Sequence, residues 1–192
     1  MTYPPFLNQK GLPIRLASLL LACNAAVGMT LAAAPTDHHE ATQEANQTLS
    51  EMDKNFATKA VQGGVAEIQI GELAKKSTQN KAVHTLADEL IKDHTQANNE
   101  LQEKTRKLHF LLPVSTDTTH QSEVVSLSKL KDENFDQQFL KQLKMDHQKT
   151  ISLFSDEATK GQCKELKDFA AQTLPKLQHH LSMIEKAEQN QK

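Results

Sequence analysis

The chain has no tryptophan and a single tyrosine, Tyr3, among its 192 residues, so its aromatic side chains are few and almost all phenylalanine. Beyond residue 34 only four glycines (Gly63, Gly64, Gly71, Gly161) and three prolines (Pro35, Pro113, Pro175) punctuate it. Strands joined by tight turns would need more of both. Cysteine is as scarce. Cys23 lies in an apolar leader and Cys163 stands alone in the body, so no intrachain disulfide can form in the processed protein, and Cys163 is free or pairs between chains. An excess of positive charge is missing too. The net charge of -2 becomes -4 over residues 35–192, because Lys10 and Arg15 are the only charged residues before that point. No basic face for nucleic acid is implied. Beyond the leader no apolar run approaches the length of a membrane span. A glycine-rich phosphate loop, a G-x-S-x-G elbow, HExxH and C-x-x-C are all absent, which removes the usual signatures of kinases, hydrolases and thiol redox enzymes. A binding role is therefore expected ahead of an enzymatic one.

What remains is a helical composition rich in Lys, Glu, Gln, Ala and Leu. Residues 1–34 place Lys10 and Arg15 before LASLLLACNAAVGMTLAAA and end in small residues, the layout of a signal peptide cut within Ala32 to Ala34. The expected location is periplasmic or secreted. An uncleaved anchor and a lipid anchor at Cys23 after LLAC are the alternatives, the second weakened by the apolar stretch that continues past Cys23. Residues 35–50 read as a polar tether, whose His38-His39 pair has no third ligand nearby in sequence.

Residues 51–189 are expected to form one four-helix bundle. The first helix opens at Asp53, capped by Asp53 or Ser50, and runs to about Thr78. The second spans Lys81 to His109, with Val83, Ala87, Leu90, His94, Ala97 and Leu101 on one stripe. A connection from Phe110 to Glu133 includes Pro113 and a minor helix over Val124 to Leu130. It is long enough to run the length of the bundle at up to ~3.5 Å per residue, leaving helices two and three parallel. The third helix starts at DENFD and ends at Gly161; the fourth covers Lys164 to Glu188 and is expected to kink at Pro175.

One polar residue interrupts each apolar stripe: Glu67, His94, His147 and His180. Counting from the helix-joining turns near residues 79 and 161, all four fall near mid-bundle, with Glu67 and His94 about 4.5 Å apart in height. Three imidazoles and a carboxylate converging in an apolar interior suit Zn, Cu, Ni or Fe. A polar layer that only fixes helix register fits the same pattern. Three histidine ligands also leave room for a reactive water, which keeps an enzyme in play. Asp93 and Asp146 precede their histidines and fall about 100° off the stripe, so they face the surface or accept a hydrogen bond from an imidazole. A carboxylate-bridged di-iron site would need Glu-x-x-His steps, and Ile91, Lys144 and Leu177 stand at those positions.

FATKAVQGGVAEIQIGELA, LADELIKDHTQANNEL, NFDQQFLKQLKMDHQKTISLF and FAAQTLPKLQHHL resemble, in order and spacing, the successive blocks of the domain-of-unknown-function family DUF4142. The D-H-T-x-A-N, D-H-Q and L-P-x-L-x-x-H-L steps are the most specific parts. The resemblance implies a ferritin-like four-helix bundle in exported bacterial proteins, often labelled outer-membrane proteins without a demonstrated activity. It also implies that Glu67, His94, His147 and His180 occupy motif positions. No alternating strand pattern for a barrel exists here. The run Asp132-Glu133-Asn134 departs from the pattern, which usually carries a glycine there. The expected role is metal storage, buffering or envelope stress protection. The rival is a structural or interaction module of the envelope, acting through its outer faces or the Pro113 connection. No protein partner is named by the sequence; a homodimer would be unsurprising, although no exposed apolar stripe demands one.

Overall fold

The structure, a computed structural model, describes residues 49–190. The expected signal peptide, Cys23, His38, His39 and all of the tether before Leu49 lie outside them. Among the described residues there are five α-helices and no strand: α1 Glu51–Ser77, α2 Lys81–Lys107, α3 Thr118–Leu127, α4 Asp132–Lys160 and α5 Lys164–Gln189. No helix among them is long and apolar enough to cross a membrane.

Local chemistry sets the helix ends. Ser50 and Asp53 cap α1 reciprocally, Asp53 N donating to Ser50 Oγ at 3.1 Å and Ser50 N to Asp53 Oδ2 at 2.9 Å. Both residues offered by the sequence are thus used. α2 stops two residues before the expected His109, because His109 turns left-handed (φ 56°). Phe110 N then reaches back to Thr105 O at 2.8 Å and His109 N to Arg106 O at 3.1 Å, closing the helix without a glycine. α3 begins six residues ahead of the expected Val124, since Asp117 accepts from His120 N at 3.0 Å and starts a helix inside a run that reads as loop. α5 continues through Pro175 as one helix; the carbonyl of Ala171, which proline leaves without its N–H, belongs to an exposed residue and can take water.

Two contacts fix the topology. Lys131, just before α4, donates from Nζ to Ser77 Oγ at the end of α1, at 3.2 Å. At the opposite end, Asp53 at the start of α1 accepts from Gln162 N and Cys163 N, just after α4, at 2.9 and 3.1 Å. α4 therefore runs antiparallel to α1 and parallel to α2, and the segment carrying α3 crosses the length of the bundle, as expected from its length. α1 packs on α2 and α4, and α5 packs on the same two, so α2 and α4 stand diagonally; α3 lies on α1 with lighter contact to α4.

The apolar stripes fill this square with two separate clusters. One contains Ile70, Val83, Leu90, Phe139, Leu143 and Ile184; the other contains Phe56, Val61, Leu101, Phe154, Leu166 and Leu177. Each buried Leu, Ile or Phe contributes about 1.5–3 kcal/mol relative to exposure. On every long helix a buried polar residue stands between the two clusters: Glu67, His94, His147 and His180.

Candidate metal centre

Glu67, His94, His147 and His180 come from α1, α2, α4 and α5, and all are buried. The sequence places them at one level, and the structure brings them into contact. His94 Nε2 lies 2.8 Å and His147 Nε2 3.6 Å from Glu67 Oε2. His147 Nε2 is 3.3 Å from His180 Nδ1. One ligand atom from each of the three histidines lies within 4.8 Å of the other two.

The outward nitrogens are already committed. His147 Nδ1 donates to Leu143 O, one turn back on α4, at 3.0 Å. His180 Nε2 donates to Asp93 Oδ2 on α2 at 3.2 Å. An imidazole that donates from one nitrogen carries a lone pair on the other when neutral. With both rings neutral, His147 Nε2 and His180 Nδ1 present two lone pairs to each other across 3.3 Å. Glu67 Oε2 and His94 Nε2 are buried and, despite their 2.8 Å approach, out of line for a hydrogen bond. Four potential ligand atoms thus converge on one volume, which a metal ion or protons on the imidazoles would neutralise.

The electrostatics favour positive charge at this centre, whether carried by protons on the imidazoles or by a metal ion. Burial alone would raise the Glu67 carboxyl, but the imidazoles of His147 and His94 outweigh it and hold the group down to about 2, so Glu67 is a carboxylate. Burial would lower His94, yet the facing Glu67 carboxylate raises it above its ordinary value. His180 is pushed down to about 4, by burial first and then by His94 and His147. It is neutral near pH 7, the form that can donate a lone pair to a metal.

Asp93 does not support its neighbour His94. It holds His180 from across the α2–α5 contact, and Lys176 Nζ sits 3.2 Å from its Oδ1. Of the two places the sequence allows Asp93, surface or acceptor from an imidazole, it takes the second, and its side chain is 13% exposed. Asp146 makes no side-chain hydrogen bond or ion pair with the four residues; it accepts from Gln142 Nε2 at 2.8 Å and faces Lys149 at 3.5 Å. Asn98 was not anticipated. It is buried one turn after His94 and fills the space left by Gly64, where a Cβ would meet its Nδ2 at 2.8 Å. Its place four residues beyond His94 on the inward stripe was a readable signal. Cys163 is a buried free thiol, 3.2 Å from Glu165 Oε2, raised to about 11 mainly by burial.

A cleft of about 210 Å³ between α2 and α5 reaches the centre, lined among others by Asp93, His94, Gln96, Lys176 and His180. The larger cleft, about 730 Å³ between α3 and α4, is lined by Thr118, Ser122, Glu123, Leu130 and Gln142 and shares no residue with the centre. Its position away from every imidazole of the layer makes the smaller one the relevant approach.

Among solved structures the fold is similar to a DUF305 fragment from Deinococcus radiodurans, with a TM-score of 0.65 and 15% identity over 73% of this chain and 97% of that one. At that identity the likeness concerns the fold alone. No functionally curated protein matches the chain. The family model described as "Domain of unknown function (DUF4142)" matches residues 38–187, most of the chain, and the protein belongs to that family.

Proposed function

We propose that this bundle binds one transition-metal ion through His94 Nε2, His147 Nε2, His180 Nδ1 and Glu67 Oε2, as an exported protein of the periplasm or exterior that stores or buffers the metal. The observation that carries the reading is the opposition of His147 Nε2 and His180 Nδ1 at 3.3 Å, with their other nitrogens tied to Leu143 O and Asp93. Hydrogen-bonding the outer nitrogen to a carbonyl or carboxylate is how metal-binding histidines are commonly oriented. The donor set suits Zn, Cu, Ni or Fe. An ion held this way supplies positive charge to a buried carboxylate and three lone pairs; the chain's residues supply the orientation and exclude water.

The test is elemental analysis of the exported, untagged protein beside a His94→Ala/His147→Ala variant. Near-stoichiometric metal in the first and none in the second is the expected result. With metal at 100 times its Kd, the melting temperature of the wild type should also rise by roughly 5–10 °C, since such binding contributes about 2.7 kcal/mol. Absence of metal after loading with Zn, Cu, Ni and Fe would overturn the reading.

A second reading has its own support. The layer separates two apolar clusters on all four long helices, so it could set helix register by itself with a proton between His147 and His180. Under that reading, replacing the four residues together by apolar ones would leave a protein of equal or greater stability but with mixed helix registers. A single well-dispersed NMR spectrum from that variant would count against it.

A further inference from the structure

His180 belongs to two groups of ligands, one on each side of its ring. Its Nδ1 faces His147 Nε2 at 3.3 Å. Its Nε2 faces Asp93 Oδ2 at 3.2 Å, and Glu89, one turn earlier on α2, brings a carboxylate oxygen within 4.8 Å of both. The two groups differ in access. His94 and His147 are buried, whereas Glu89 is about a third exposed at 34% of its side chain. His179 Nε2 lies 3.3 Å from Glu89 Oε1 on the outer side. The cleft between α2 and α5 has two members of this outer group, Asp93 and His180, in its wall beside His94.

We infer that Glu89, Asp93 and the Nε2 of His180 form an outer staging site for a divalent cation, from which the ion passes to the central site on the far side of the same imidazole. This rests on the metal-binding reading of the centre. A neutral imidazole has one lone pair, so His180 serves one side at a time. With the ion outside, Nε2 holds it and the proton sits on Nδ1, where it donates to His147 Nε2. With the ion inside, Nδ1 holds it and Nε2–H donates to Asp93. The transfer exchanges one proton at Nδ1 for one at Nε2, taken from and returned to water, and the ring's protonation is unchanged overall. Each state leaves both nitrogens satisfied, which lowers the cost of the intermediate position. Lys176, now 3.2 Å from Asp93 Oδ1, is half-exposed and must swing to solvent as the cation arrives.

The experiment follows Co²⁺ uptake by the full chain as produced by the cell, reading stoichiometry by titration and loading rate by the visible absorption of bound cobalt. Glu89→Ala is the main variant and Glu89→Gln the conservative one, with circular dichroism confirming helix content in both. The wild type should take up a tight and a weaker equivalent. Glu89→Ala should lose the weaker one, retain the tight one, and load it at least 10-fold more slowly at substoichiometric cobalt. His147→Ala should keep the weaker equivalent and lose the tight one. Two equivalents and an unchanged loading rate in Glu89→Ala would overturn the staging site while leaving the central site standing. No tight equivalent in the wild type would overturn the central site and this inference with it.

Discussion

Two of the places where the bundle buries carboxyl groups treat them in opposite ways. At mid-bundle Glu67 is held down to about 2, because three imidazoles outweigh the cost of burial. At the end where α1 starts and α4 stops, Glu157 is fully buried, both its oxygens lack a partner, and it is pushed up to about 7, by burial and then by the neighbouring Asp53. Asp53 itself stays ionised. Burial works against it, but hydrogen bonds from Ser50, Cys163 N and Gln162 N lower it below its ordinary value. The lesson is that burial alone does not decide charge; the neighbours do. At the end of the bundle the neighbours are backbone N–H groups, and the cluster is explained by holding helices together. At the centre they are imidazole rings, whose nitrogens can carry a proton or hold a metal ion.

That contrast can be broken first at Asp53. Its two oxygens serve Ser50 N, Ser50 Oγ, Gln162 N and Cys163 N. Asp53→Ala should lower unfolding stability by about 3–4 kcal/mol, with buried N–H groups left unpaired, and the urea midpoint should fall at constant m. Next in size is Gly161→Ala. A Cβ there would clash with Glu157 Oε1 and approach the backbone oxygen of Glu157 to 2.6 Å. Backbone yields poorly, so the expected loss is about 2–3 kcal/mol, seen as a lower melting temperature.

The pH dependence sharpens the comparison. For Glu157 the folded state binds the proton more tightly than the unfolded chain, so its contribution is full below pH 4.5 and is lost as pH rises through about 7. Glu67 has the opposite sign: its contribution is full above pH 4.5 and is lost as pH falls toward about 2. His180, lowered to about 4, loses stability as pH falls below 6.5 and opposes Glu157 in the same window. The difference between wild type and Glu157→Gln isolates the Glu157 part. It should change by roughly 1–3 kcal/mol between pH 4.5 and 7.5 in chemical denaturation, and a flat difference would show that Glu157 is not protonated in the fold.

The smallest effect lies at the opposite end of the bundle. Asp132, in the run where the family pattern usually carries a glycine, has φ 49°, a left-handed conformation at the first residue of α4. Asp132→Gly should stabilise by about 0.5–1 kcal/mol through relief of that strain, with no change at either carboxyl cluster. A loss of stability would mean that the Asp132 charge near the helix start matters more than its backbone.

The sequence by itself determined the four long helices, their inward stripes and the common level of Glu67, His94, His147 and His180. All of these follow from the 3.6-residue period and the length of connecting segments, which are local properties of the chain. The length of the connection carrying α3 also made the parallel placement of α2 and α4 legible. Tertiary structure decided the rest. Asp93 pairs with His180 on another helix, and no spacing in one helix reveals that. Glu157 is buried because Asp53 and Gly161 meet it at a helix junction, which no spacing within α4 announces. Which nitrogen of each imidazole faces inward, the fact on which the metal reading turns, depends on Leu143 O and Asp93. Side-chain periodicity places a ring; only its partners in space orient it.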